Sequence, residues 1–209
     1  MAVYNGPLCR LCRAQGKKLF LKGDKCYTKK CPMERNRGIP GQKQVALHFN
    51  KPTDYKLHLM EKQKVKRMYG VLERQFRRYF DLAIRQKEIP TGDKLLELLE
   101  RRLDNVVYRI GFSPNRRSAR QFVSHGHVLV NGKKVNIPSY IVKRGDLIEV
   151  KDSSRKIPLL QASLSERNIF PQWLAVNKES FRGEVTAVPT IPELSLDINP
   201  TLIVELYSK

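Results

Sequence analysis

The chain has 209 residues, with 40 Lys and Arg against 20 Asp and Glu, a formal net charge of +20. The length admits one large domain or two small ones, and no apolar stretch approaches the ~18 residues that a membrane-spanning helix needs. Arg10, Arg13, Lys17 and Lys18 interrupt any apolar signal core at the N-terminus, which points to a reducing, cytoplasmic compartment. The charge is also local: residues 1–150 hold 33 basic and 13 acidic residues, whereas residues 151–209 hold seven of each. Such an excess is more than solubility needs and predicts a polyanionic partner. A basic surface could also bind anionic lipid, but the sequence has no basic amphipathic helix with a Trp or Phe insertion face, so neither a membrane nor a small-molecule substrate is expected.

Residues 1–45 are basic, turn-rich and poor in apolar side chains. Their cysteines stand as Cys9-x2-Cys12, then thirteen residues, then Cys26-x4-Cys31. In a reducing compartment this spacing points to metal or to free thiols before disulfides. Four thiolates can close a tetrahedral zinc site, and one structural zinc would supply folding free energy that this segment lacks. The Lys-rich stretch 15–30 contains a single acid, Asp24, and its cations would stabilise a doubly negative four-thiolate centre. A catalytic zinc would leave a position open and usually take His or carboxylate ligands; the nearest histidine, His48, lies seventeen residues past Cys31. The competing interpretation, four unrelated thiols, has to accept their confinement to 23 residues.

Next, Pro52-Thr53-Asp54 predicts a helix start, with Thr53 or Asp54 as cap, and Gly70 its end. This helix carries Lys62, Lys64, Lys66 and Arg67. A second helix, from about 72 to 87, places Phe76, Tyr79, Phe80, Ala83 and Ile84 on one buried stripe and carries Arg74, Arg77 and Arg78. Both basic runs are candidates for nucleic-acid contact, against the alternative of solvated faces with local acid partners such as Glu61 and Glu73. The aromatics of the second helix read as core rather than as stacking platforms for bases. After the break at Pro90-Thr91-Gly92, Leu95, Leu96, Leu98, Leu99 and Leu103 mark a further helix, and residues 104–110 another helical turn or two closed by Gly111.

Ser113-Pro114-Asn115 starts a helix that runs to His125 and stops at Gly126. Residues 127–130 read as a strand, Asn131-Gly132 as a hairpin turn, 133–135 as its return, and 147–150 as a third strand. At 100° per residue, Arg120, Ser124, Arg117 and Gln121 lie roughly 40°, 80°, 100° and 140° from Arg116, with Ala119, Phe122 and Val123 on the other side. One face is core; the opposite face presents Arg116, Arg117 and Arg120, whose planar forks suit phosphate. The hairpin adds His125, His127, Asn131, Lys133 and Lys134 to Gln121 on this platform. From Ile110 to Asp146 there are seven Lys and Arg and one acid, the terminal Asp146, so a merely solvated face is the weaker interpretation. A metal site at His125 and His127 lacks a third ligand.

The stretch Asn115-Arg116-Arg117-Ser118-Ala119-Arg120-Gln121-Phe122-Val123-Ser124-His125-Gly126-His127-Val128-Leu129-Val130-Asn131-Gly132-Lys133-Lys134-Val135 resembles the RNA-binding module named after ribosomal protein S-four. The flanks resemble the bacterial small-subunit ribosomal protein family itself: Arg102-Leu103-Asp104-Asn105-Val106-Val107-Tyr108, Pro138-Ser139-Tyr140, Glu61-Lys62-Gln63-Lys64, Trp173-Leu174, and the terminal Leu202-Ile203-Val204-Glu205-Leu206-Tyr207. Gly6-Pro7 before Cys9-Arg10-Leu11-Cys12 is similar to its zinc-bearing, four-cysteine branch. The resemblance implies an α+β fold: a zinc-stapled arm (1–45), a helical domain completed by the C-terminus (46–92 with 184–209), and an inserted domain (93–183) whose RNA-binding module, about 98–151, has two helices and a small antiparallel sheet. The apolar residues at 202–206 are expected to pack on the helices of 54–87.

The resemblance further implies a structural role rather than an enzymatic one: binding a multi-helix junction of small-subunit ribosomal RNA, nucleating subunit assembly and influencing decoding accuracy. Ribosomal protein S-five, other small-subunit proteins and messenger RNA near its entry region would be neighbours. The chain departs from the family at Ile39-Pro40-Gly41-Gln42-Lys43-Gln44, usually Pro-Pro-Gly-Gln-His-Gly, in the following Val45-Ala46-Leu47-His48-Phe49, usually basic, and at Asn199-Pro200-Thr201, usually Asn-Glu-Gln. Two rivals remain. An RNA-modifying enzyme could carry the same module, but its catalytic domain would need a larger tail. A zinc-dependent DNA-binding regulator would need a recognition helix directly after the ligands, where Pro32, Gly38, Pro40 and Gly41 stand instead.

Overall fold

A computed structural model describes residues 3–41, 53–190 and 197–208. The unusual linker at 43–50 lies outside the described residues. In chain order the helices are α1 (Leu8–Gln15), α2 (Asp54–Met68), α3 (Glu73–Ile84), α4 (Thr91–Glu100), α5 (Leu103–Ile110), α6 (Arg116–Ser124), α7 (Pro158–Glu166) and α8 (Pro200–Tyr207); the strands are β1 (Val128–Val130), β2 (Lys133–Lys134), β3 (Leu147–Val150), β4 (Leu174–Asn177) and β5 (Arg182–Val185). The chain forms two compact units, Met1–Lys87 with Asp197–Lys209, and Glu88–Leu196.

In the first unit, α1 is a helix in a segment whose composition suggested only turns. Its Cys12 and Gln15 are buried, and Gly16 ends it at φ 69°. Gln15 fixes the arm to α2: its amide donates to the Met60 carbonyl at 2.8 Å, and its side-chain oxygen accepts from Arg67 at 3.1 Å. Helix α2 starts where Thr53 accepts from the Lys56 amide at 3.4 Å, and Gly70 follows its end at φ 63°. On α3, Phe76, Tyr79, Phe80 and Ala83 are buried, but Ile84, the last residue of the helix, is 51% exposed, so the stripe stops one residue short of expectation. Helix α8 packs on α2 with Ile203 fully buried. Tyr207 stacks on Phe80 with ring centroids 4.4 Å apart and donates from its hydroxyl to Glu73 at 3.0 Å. Pro200 is tolerated because it occupies the first turn of α8, where its missing N–H breaks no helical bond, and Asn199 caps that turn by accepting from the Thr201 amide.

The second unit is a five-stranded antiparallel sheet of order β2-β1-β3-β5-β4, with α5 and α6 packed together. Leu103, Val106, Val107 and Ile110, at helical spacing, put the buried stripe of α5 into a core shared with Ala119, Val123, Ile148 and Trp173. The hairpin turn needs two consecutive residues at positive φ, which Asn131 (51°) and Gly132 (75°) supply. The run of leucines divides at residue 101: Leu103 belongs to α5, not to the helix of Leu95, Leu96 and Leu99. The two helices and the small sheet are present, but the sheet is larger than expected, because β5 adds to β3 and β4 to β5. Gly183 on β5 allows this pairing: a Cβ there would lie 2.6 Å from Ile110 Cδ1.

Candidate nucleic-acid interface

The predicted arginine face of α6 divides into three environments. Asn115 caps the helix by accepting from the Ser118 amide at 2.9 Å, which fixes its rotation on the core. Arg117 is exposed. Arg116 is half-buried; its Nε donates to Asn105 at 2.7 Å, and its guanidinium lies 4.6 Å from the centre of the Tyr108 ring. Arg120 is only 9% exposed and forms an ion pair with Asp104 at 3.7 Å. The wheel put Arg120 on the polar face correctly, but α5 covers part of that face. Asp104 also takes two bonds from the fully buried Arg102, at 3.0 and 2.5 Å, and one from the Asn105 amide. Beside it, the fully buried Glu100 takes two bonds from Arg109, at 3.0 and 2.7 Å, and one from Asn105 at 2.7 Å. These paired and hydrogen-bonded charges hold α4, α5 and α6 in one arrangement.

Around the hairpin, Gln121, His125, Lys133 and Lys134 are exposed. Asn131 is exposed in area but committed to the fold: its amide donates to Asp146 at 2.9 Å, and its oxygen accepts from the Leu147 amide at 2.9 Å. His127 turns inward, stacked on Phe122 and bonded through Nδ1 to Ser154 at 2.8 Å. Burial first, then the charges of His125, Lys134 and Lys151, hold its pKa below the ordinary 6.5, so at neutral pH it is not a cation. Arg167 also lies over the Tyr108 ring at 4.6 Å, a partner that sequence spacing could not supply. Burial pushes the Tyr108 phenol up, but Arg116 and Arg167 outweigh it and bring the pKa below the ordinary value.

In the first unit, α2 follows the alternative of local acid partners. Lys62 and Lys66 reach Glu73 at 2.7 and 2.8 Å, and Lys64 reaches Glu61 at 2.8 Å. Arg67 is held by Gln15. On α3, by contrast, Arg74, Arg77 and Arg78 are exposed.

The cysteines lie together on the arm: Cys9, Cys12, Cys26 and Cys31 all line one small cavity of about 10 Å³ with Leu8, Leu21 and Met33. That is about the room one water-sized sphere needs. The thiols of Cys12 and Cys26 are pushed up by burial above all, and also by the nearness of the other sulfurs. Four thiols lining one small space are donors of the kind zinc takes, but among the described residues no group of three or more His, Cys, Asp or Glu is placed to hold a metal ion.

A compact α+β module with an exposed cationic edge, its acids consumed by internal pairs, defines a protein built to meet a polyanion. Two family models match and together span most of the chain: the ribosomal protein S4/S9 N-terminal domain over residues 3–100 and the S4 domain over residues 101–148. The chain is 53% identical to the small ribosomal subunit protein uS4 of Halothermothrix orenii over the whole of both chains. It is 54% identical to that of Thermoanaerobacter sp. (strain X514), again over the whole of both. The chain belongs to the uS4 family of small-ribosomal-subunit proteins, and it is not an enzyme.

Proposed function

We propose that this chain binds small-subunit ribosomal RNA as a structural component of the subunit, in the cytoplasm, and that the exposed cations carry the contact. The supporting observation is the division of charge: Arg117, Lys133 and Lys134 in one unit, and Arg74, Arg77 and Arg78 in the other, are exposed, while Lys62, Lys64 and Lys66 of α2 and the inner arginines of α6 are engaged by protein groups. Exposed cations release counterions from RNA; those already paired to carboxylates add little. Arg116 and Arg120 position α6, and Gln121 and His125 add hydrogen-bonding groups beside Arg117.

The finer role we infer is recognition of a multi-helix junction of that RNA, nucleation of small-subunit assembly, and an influence on decoding accuracy, with ribosomal protein S-five and messenger RNA near the entry region as neighbours. We also propose one structural zinc held by Cys9, Cys12, Cys26 and Cys31, which would supply folding free energy to the arm. The four thiols lining a common cavity support this. The function is tested by filter binding of the full chain to folded small-subunit RNA and to duplex DNA across a salt series. Strong preference for the RNA is expected. Equal binding would favour a DNA-binding regulator.

A further inference from the structure

Helix α6 stops at Gly126, which stands at φ 74°. The Gly126 amide donates to the Val123 carbonyl at 2.8 Å and the His127 amide to the Phe122 carbonyl at 3.3 Å, the two bonds of a Schellman ending. The left-handed backbone favours glycine, but asparagine adopts it too. A second feature requires that position 126 carry no side chain at all. A Cβ there would overlap Lys134 Cε and would lie 3.0 Å from Nζ and 3.5 Å from Cδ. The end of the Lys134 side chain therefore crosses directly over Gly126, which is buried although His125 before it is exposed. The sheet register brings Lys134 to this place. It pairs with Leu129, whereas Lys133 pairs with the core residue Val130, so the two lysines leave β2 on opposite faces. The Lys134 ammonium is also near enough to His127 to lower its pKa, after burial and His125. A cation at the C-terminal end of a helix meets the negative end of the helix dipole, which favours the seat.

We infer that Gly126 is a positioning residue for Lys134: it leaves open the seat that holds this ammonium at the end of α6, set for a phosphate of the RNA. The inference rests on the RNA-binding reading and adds to it a residue that has no charge of its own. Its basis is conformational entropy. A lysine side chain that moves freely in solvent loses that freedom when it meets a phosphate, and the loss subtracts from affinity. Lys134 gives up part of it on folding, so less is lost on binding. The seat does not take the charge out of solvent, because Lys134 remains exposed.

The experiment uses the full chain with Gly126→Asn, Lys134→Ala and the two combined, each melted and then titrated with folded small-subunit ribosomal RNA over a salt series. Asparagine keeps the left-handed backbone but puts a Cβ in the seat. G126N is expected to lose roughly two- to tenfold in affinity, the worth of ordering one long side chain, with the salt slope of the parent because the charge is still present. K134A should flatten the slope by about 0.7–0.9, and G126N should cost nothing further in that background. A second measurement needs neither variant nor RNA: in the free parent chain, nuclear Overhauser contacts should join the Lys134 ε-methylene to the Gly126 α-protons, and that methylene should be more ordered than its counterpart in Lys133. This measurement decides the matter if G126N does not fold. Equal mobility of the two lysines, an equal loss from G126N in both backgrounds, or no loss from G126N or K134A would limit Gly126 to ending the helix while RNA binding stands. If the parent itself does not bind the RNA, the broader function fails and this role with it.

Discussion

Arg117 and Arg120 are three residues apart on α6, carry the same charge and stand on the same predicted face, yet their replacement should have opposite consequences. Arg120→Ala removes a partner of Asp104 and the buried stem of the arginine. Asp104 keeps two bonds from Arg102 and one from the Asn105 amide, so it is not left bare, and the full ~3–5 kcal/mol of a broken buried pair does not apply. A loss of about 2 kcal/mol is the appropriate scale for one charge-assisted contact plus packing. In a chain of this size, that lowers the melting temperature by roughly 4–8 °C. Arg117→Ala, at an exposed position, should change stability by less than about 0.5 kcal/mol, but should reduce the slope of log affinity against log salt by about 0.7–0.9 if it holds one phosphate. Thermal melting and RNA titration in four salt concentrations, on both variants, read the two effects separately. If R120A melts as the parent and flattens the slope as much as R117A, Arg120 faces the RNA and the division of roles drawn from the structure is wrong.

Other perturbations reach the remaining parts of the molecule. Glu73, though pushed up by burial, is lowered from its ordinary 4.5 to about 2 by hydrogen bonds from Lys62, Lys66 and Tyr207. Because the folded value is depressed, its contribution is complete above pH 4.5 and is lost as pH falls toward 2; its side chain is 46% exposed, so solvent screening keeps that contribution small. Melting temperature against pH should therefore fall less steeply below pH 4.5 in Glu73→Gln than in the parent; parallel curves would contradict the assignment. Ile203→Ala, at a fully buried position on α8, should cost about 2–5 kcal/mol even without RNA, and deletion of residues 200–209 at least as much, measured by denaturant unfolding. Metal analysis should find one zinc per chain, and chelation should disorder the arm while leaving the sheet of the second unit folded; a chain without zinc, or wholesale unfolding on chelation, would refute the zinc proposal.

Much of this architecture is legible in the sequence where a local rule governs it. The Thr53 cap, the Asn131-Gly132 turn and the glycine stop at 111 each follow from backbone chemistry within a few residues, and the structure has all three; at Ser113-Pro114-Asn115 the helix starts only at Arg116, with Asn115 as its cap and Pro114 outside it. The stripe of α3 follows from periodicity as far as Ala83, whereas that of α5 shows only once Leu103 is assigned to it. What periodicity misses is pairing across distance. Strands β4 and β5 carry weak apolar alternation and exist because β3 offers an edge and Gly183 lets Ile110 approach. Arg120 looks free on a helical wheel because its partner, Asp104, belongs to another helix. Lys62, Lys64 and Lys66 looked available for RNA, although Glu61 and Glu73 were visible nearby; the structure shows those acids close enough to hold them. A count of cations therefore overstates how many are left without a carboxylate nearby after folding.

The most direct test of the central claim is chemical probing of folded small-subunit ribosomal RNA with and without the full-length protein. Protection concentrated at one multi-helix junction, and weakened when Arg117, Lys133 and Lys134 are replaced by Ala together, is the predicted result. Protection absent altogether, or spread evenly over helices without regard to the junction, would contradict it.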